Sequence, residues 1–247
     1  MEELIIVPDV HCRNFWKKVL TIKDKKIIFL GDYLDPYPNE GFPFENGLVN
    51  LEQIIDFKKE NFDNVTLLIG NHDINYFWQF NWASRFNRMY SKEAHSLFAD
   101  NLSLFEPYKI IDNILFTHAG VCEGWVEAWN IKDPIERINT DWNLFLQNPF
   151  KESYLSIFDC GYSRGGDAPY GGIFWHDVYE SYWTNPIDYV QIYGHSQLNN
   201  TGSFLQLNQE GKPMYCCDSR EVFVWKNNEL KNLWNLLQKK MRTNCVL

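Results

Sequence analysis

Five short runs of apolar and β-branched residues stand out along the chain: Leu4–Val7, 26–30, 65–69, Ile114–Thr117 and Val190–Tyr193. Each is long enough for a buried strand. The residues just after each run are more informative than the run itself, because all five runs end in a tight polar segment, reading PDVH, GDYLD, GNHD, THAG and GHSQ in order. Ligands of open α/β sheets bind in the crevice beyond the carboxyl ends of the strands, so these segments are expected to converge in space although they lie far apart in sequence.

Helical periodicity lies between the runs. Over 46–62 the residues Leu48, Leu51, Ile54, Ile55 and Phe57 recur near helical spacing, and 134–146 carries Pro134 in its first turn, where proline costs no hydrogen bond. The later chain changes character, with short β-like runs at 203–207, Met214–Cys216 and 222–225 separated by polar turns, which read as a second sheet. Alternating βα units followed by consecutive strands predict an α/β fold of two mixed sheets packed together with helices outside. One domain spanning 1–247 is expected, with helical and aromatic cap-like insertions around 74–110 and 123–160. The segment 74–90 is apolar on two faces: Tyr76, Phe77, Phe80 and Ala83 form one stripe, Trp78 and Trp82 another. A helix packed on two sides accounts for it, and so does an aromatic lid over a substrate, with Arg85 and Arg88 nearby.

Composition narrows the picture. A chain of 247 residues, 45% hydrophobic and 17% aromatic, buries a large core. Its formal charge of −9, with no dense basic block, argues against a nucleic-acid partner. A small phosphate ester is not excluded, because bound cations would reverse the field at the site. The six cysteines show no CxxC spacing and read as reduced thiols. The opening apolar run is too short for a signal peptide and no stretch is long enough to span a bilayer, so a cytoplasmic chain without membrane contact is expected.

The polar segments carry metal-binding chemistry. Asp9 and His11 stand two residues apart at a strand end, where alternation lets both bind one cation. Asp32 follows the second run, and its two oxygens can bridge two ions. Asn71 and His72 follow the third run, His118 the fourth and His195 the fifth. Mixed oxygen and imidazole donors suit manganese, iron or zinc better than calcium or magnesium. Any one of these histidines alone reads as structural; four of the six in turns after strands do not.

The ordered set Asp9-x-His11, Gly31-Asp32-x-x-Asp35, Gly70-Asn71-His72-Asp73, His118-Ala119-Gly120 and Gly194-His195 resembles the calcineurin-like metallophosphoesterase superfamily, and within it the phosphoprotein phosphatase branch and its bacterial relatives. The resemblance implies a four-layer α/β/β/α sandwich with two divalent metal ions between strand ends. It places Asp9, His11 and Asp32 on the first ion, and Asp32, Asn71, His118 and His195 on the second. His72 would be the general acid and Asp35 its orienting partner. Many members carry a further histidine where this chain has Gln197, and the phosphoprotein phosphatases also lack it.

Two departures bear on substrate. The arginines usual after GDxxD and after GNHE are missing, since Pro36 follows Asp35 and Ile74-Asn75-Tyr76 follows Asp73. Arg164, in the glycine-rich stretch 163–177, is the first substitute for binding phosphate, and Arg13 is the second. Within that stretch Trp175-His176-Asp177 matches a W-x-D segment of the phosphatases; His176 reads as support, not as a ligand. His95 reads as surface. The expected activity is hydrolysis of a phosphomonoester, on a phosphorylated protein or a small molecule, by metal-activated hydroxide. The alternatives are cleavage of a dinucleoside polyphosphate and a binding scaffold that has lost activity.

Overall fold

The strands form where β-branched and aromatic residues can be covered on both faces. A computed structural model describes residues 3–77, 84–148, 155–207 and 212–233. Its strands are β1 (Leu4–Val7), β2 (Lys26–Phe29), β3 (Val65–Leu68), β4 (Phe105–Glu106), β5 (Tyr108–Ile111), β6 (Ile114–Thr117), β7 (Val190–Tyr193), β8 (Leu205–Leu207), β9 (Met214–Cys216), β10 (Phe223–Lys226) and β11 (Glu229–Asn232). The helices are α1 (Phe44–Glu60), α2 (Asn71–Phe77), α3 (Ser91–Ala99), α4 (Glu123–Ala128) and α5 (Pro134–Gln147).

Two mixed sheets result, in the orders β11-β10-β1-β2-β3-β4 and β5-β6-β7-β9-β8. The central strands β1, β2 and β3 run parallel in the first, as β6, β7 and β9 do in the second. Residue alternation explains how the sheets stack. Leu4, Ile6, Ile28, Leu30 and Leu68 from the first sheet meet Ile114, Phe116, Ile192 and Tyr215 from the second in one buried cluster. Their sequence neighbours Ile5, Val7, Ile27, Phe29, Val65 and Leu67 turn the other way, into a larger cluster with Leu48, Leu51, Ile54 and Ile55 of α1. Burial on both faces is why these strands read as unbroken apolar runs.

The late strands divide between the sheets, contrary to the expectation that they build the second one together. β8 and β9 join the second, whereas β10 pairs antiparallel with β1, placing Val224 opposite Ile5. The β10–β11 hairpin closes through Asn227 and Asn228 at φ 53° and 60°, the two left-handed positions of a type I′ turn. Within 74–110, β4 and β5 are edge strands of the two sheets. Of the aromatic stripes, Trp78, Phe80, Trp82 and Ala83 lie outside the described residues. Phe86 returns to stack on Tyr76 at 4.7 Å. His95 is half-buried, donating from Nδ1 to the Tyr76 carbonyl at 3.0 Å, and so ties α3 to α2.

Candidate metal centre

The loops after β1, β2, β3, β6 and β7 meet at one end of the two sheets, and tight backbone turns bring their side chains together. His11, Asp32, Asp35 and His195 have φ of 43°, 51°, 58° and 60°, a region costly for residues other than glycine and concentrated at functional sites. Gly31 and Gly70 make the closest approach possible. A Cβ on Gly31 would sit 2.5 Å from the Gly70 nitrogen, and one on Gly70 would collide with Asp32 Oδ1. Asp73 fixes this junction from behind, accepting from the amides of Asp32 at 2.7 Å, Gly70 at 2.8 Å and Tyr33 at 2.9 Å.

Asp32 stands between two donor groups. On one side, its Oδ2 lies 3.4 Å from His11 Nε2, which is itself 3.9 Å from Asp9 Oδ2. On the other, Oδ2 lies 3.6 Å from His118 Nε2. Beyond it, Asn71 Oδ1 is 2.8 Å from His118 Nε2 and 3.0 Å from His195 Nδ1, and the two imidazole nitrogens are 3.1 Å apart. His11 and His118 donate from Nδ1 to the carbonyls of Leu34 and Leu30, each at 2.9 Å, so both rings aim an Nε2 lone pair inward. Asp9 is held by the His195 amide at 3.0 Å.

This donor set fits divalent cations. Burial holds His11 and His195 well below the usual histidine range, and His118 below it as well, so the rings keep their lone pairs. Burial opposes charge on Asp32, but the imidazoles of His118, His72 and His11 hold its carboxyl down at about 2. Asp9 is pushed well up by burial and by Asp32 beside it. Asp218, after β9, is fully buried, and neither of its oxygens has a hydrogen-bond partner among the described residues. Burial, then Asp9, raises it well above the carboxylate range. Carboxylates and lone pairs crowded together out of water are stabilised by cations that bind them. Donor atoms of Asp9, His11 and Asp32 fall within 4.8 Å of one another, as do those of Asp32, His118 and His195.

A second constellation borders the first. His72 Nδ1 lies 2.7 Å from Asp35 Oδ2, and the Tyr76 hydroxyl reaches Asp35 Oδ1 at 2.5 Å. Burial pushes Asp35 up, opposed by these hydrogen bonds. The Asp32 carboxylate accepts from the His72 amide at 2.9 Å, linking the two constellations through one residue.

Of the two arginines proposed from sequence, Arg13 is buried and forked onto Glu40 at 2.6 and 3.0 Å, with Arg220 on the same carboxylate at 3.1 Å. Arg164 pairs with Asp177 at 2.5 Å and donates to Ser196 Oγ at 2.7 Å. Arg85, which the sequence places only near a lid, lies with Nη2 3.0 Å from His72 Nε2 and its guanidinium 3.8 Å over the Tyr37 ring. Its Nη1 is buried without a hydrogen-bond partner among the described residues. Asp73, Arg85 and Asp218 are thus the residues sequence reasoning left unassigned. Asp73 had a visible signal, since it stands in the polar segment after the third apolar run; Arg85 and Asp218 had none beyond their charge.

A model of the calcineurin-like phosphoesterase family matches residues 4–205, which takes in every donor from Asp9 to His195. Among solved structures, the chain is similar to a cold-active protein-tyrosine phosphatase of a psychrophile, Shewanella sp., at 15% identity and a TM-score of 0.60, over 93% of this chain and 77% of that one. It is similar as well to a metallophosphoesterase from Sphaerobacter thermophilus, at 14% identity and a TM-score of 0.44 over 93% of this chain and 87% of that one. A protein serine/threonine phosphatase from Saccharomyces cerevisiae aligns at 15% identity and a TM-score of 0.49, over 90% of this chain and 72% of that one. A search of curated protein sequences gives no significant match. The first of these structures supports the fold, and the family match rests on the sequence itself. The chain belongs to the calcineurin-like phosphoesterase family.

Proposed function

We propose that this chain hydrolyses phosphomonoesters at a centre of two divalent cations, one held by Asp9, His11 and Asp32 and the other by Asp32, Asn71, His118 and His195. The family implies such a dimetal centre and a phosphorylated substrate. The observation that carries the reading is the position of Asp32, whose Oδ2 is within 3.6 Å of imidazoles on both sides. When bound, the two ions supply Lewis acidity toward phosphoryl oxygens and acidify a water so that it attacks near neutral pH. Manganese, iron or zinc suits these donors.

The remaining groups manage protons and charge. With Nδ1–H directed at Asp35, His72 presents Nε2 to the substrate side, where it protonates the departing alkoxide. Asp35, steadied by Tyr76, fixes the ring orientation. Arg85 takes the place of the missing phosphate-clamping arginines. Its guanidinium stands beside His72 Nε2 with Nη1 free to donate, and an incoming phosphoryl oxygen competes for it with the imidazole. Arg164 and Arg13, engaged by Asp177 and Glu40, serve the phosphate indirectly, by setting the loops that carry Ser196 and Asp9.

The experiment is a comparison of turnover on phosphoserine and phosphotyrosine peptides, p-nitrophenyl phosphate and diadenosine tetraphosphate with saturating manganese. Turnover of the monoesters with little of the tetraphosphate is expected. Preference for the tetraphosphate would replace the monoester reading, and turnover of none would favour a binding scaffold.

A further inference from the structure

Outside the proposed centre, one cluster of side chains has the chemistry of a cation site. Cys122 precedes α4, four residues after His118; His176 lies near the end of the glycine-rich stretch and Glu180 just beyond it. All three are buried, and their donor atoms lie within 4.8 Å of one another, as those of each half of the proposed dimetal centre do.

Hydrogen bonding around the cluster leaves its inner atoms exposed to each other. The Ser181 hydroxyl points at the Met214 sulfur, 3.7 Å away, so it accepts from His176 Nε2–H at 2.7 Å. Burial opposes charge on the ring, but Cys122 and Glu180 beside it raise it to about 9, so a proton lies between Nδ1 and Glu180 Oε2, 3.1 Å apart and without an aligned hydrogen bond. Glu180 Oε2 accepts from the Gly171 amide at 2.8 Å, but Oε1, equally buried, accepts from nothing among the described residues. A buried carboxylate needs a positive charge beside it, and a divalent cation that displaces the Nδ1 proton would supply that charge and engage the unpartnered Oε1 as well. The third member, a thiol, is the softest donor the chain can offer.

We propose that Cys122, His176 and Glu180 form a third cation site, one for a divalent ion of the zinc class. A thiolate, an imidazole and a carboxylate are the three donor types zinc accepts, and with both carboxylate oxygens engaged they supply four donor atoms, the number structural zinc sites take. Each ligand comes from a piece of chain that serves the dimetal centre. Cys122 follows the loop of His118, His176 lies between Trp175, whose ring packs edge-on against His195 at 5.8 Å, and Asp177, which holds Arg164. The ion thus clips the 171–182 segment to the chain that leaves β6.

Sulfur makes the site separately readable, because the dimetal donors are all nitrogen and oxygen. Full-length protein reconstituted with cobalt(II) is expected to show a near-ultraviolet thiolate-to-cobalt charge-transfer band, to lose it on titration with zinc, and to lack it in Cys122→Ser. Absence of the band in folded, cobalt-loaded wild type would overturn the site, as would its persistence in Cys122→Ser. Should that variant fail to fold, Glu180→Gln keeps the thiolate and the shape; the cobalt concentration needed for the band is expected to rise more than about tenfold, and an unchanged titration would refute the assignment. Neither result depends on the dimetal centre or on phosphatase activity.

Discussion

At the residue scale, the proposed mechanism assigns proton delivery and phosphate binding to different side chains. In the proposed reading His72 donates from Nε2, and a leaving group that needs no proton does not call on it. His72→Ala is therefore expected to lower kcat by about 10²–10⁴ on a phosphoserine peptide but by less than about tenfold on p-nitrophenyl phosphate; equal losses on both would remove the acid role. Arg85→Ala is expected to reduce kcat/KM by about 10–100-fold, the worth of a hydrogen bond to a charged group. Arg85→Lys should recover little, because an ammonium cannot fork onto phosphate or lie flat on Tyr37. Full recovery with lysine would leave Arg85 as a mere source of charge. The convergence of the candidate donor residues was legible in sequence because each follows a strand within a few positions, so local order predicts their place. Arg85 and Asp218 were not, since their meaning comes from partners remote in the chain: Arg85 meets His72 from thirteen residues away, and Asp218 lies near Asp9 through the pairing of distant strands.

At the element scale, the junction of the β2 and β3 loops leaves no room for a side chain at either of its glycines. Gly31 and Gly70 back onto one another and onto Asp32, with Asp73 binding the amides on both sides. Gly70→Ala places a methyl group against backbone that cannot withdraw, and is expected to destabilise by about 3 kcal/mol or more, as overpacking at a strained backbone does. Urea unfolding measures it, and a loss under about 1 kcal/mol would mean the junction yields. The central strands were readable as apolar runs because both faces are covered. β4, β5 and β11 were not, being short edge strands with half-exposed residues. Nor did any local signal reveal that β10 adds to the first sheet, because its partner β1 lies at the opposite end of the chain. Register across such a separation is set by which apolar faces meet, and periodicity within either strand alone does not contain it.

At the scale of the whole molecule, the proposed centre joins both sheets: Asp9, Asp32 and Asn71 come from loops of the first, His118 and His195 from loops of the second. Cations bound there as proposed would therefore tie the two layers together as well as supply chemistry. Chelation is expected to lower the melting temperature by about 5–10 °C, the effect of losing a ligand present at about a hundred times its dissociation constant. Returning manganese should restore it, and a melting temperature indifferent to chelation would argue that the ions do not bridge the layers. The two-sheet architecture was legible in the order of the elements, whereas this coupling between layers emerges only when the loops are assembled in space.

Asp32 is the residue on which the account turns, because it alone is assigned to both cations. The most direct test is to measure the metal content and the p-nitrophenyl phosphate turnover of the same preparations of wild type and Asp32→Asn, with folding checked by circular dichroism. The account predicts metal-dependent turnover in wild type that chelation abolishes and manganese restores, and in the variant a loss of bound metal together with at least about a thousandfold loss of kcat. A folded variant that keeps both its metal and its activity, or a wild type that turns over fully after its metal has been removed, would contradict it.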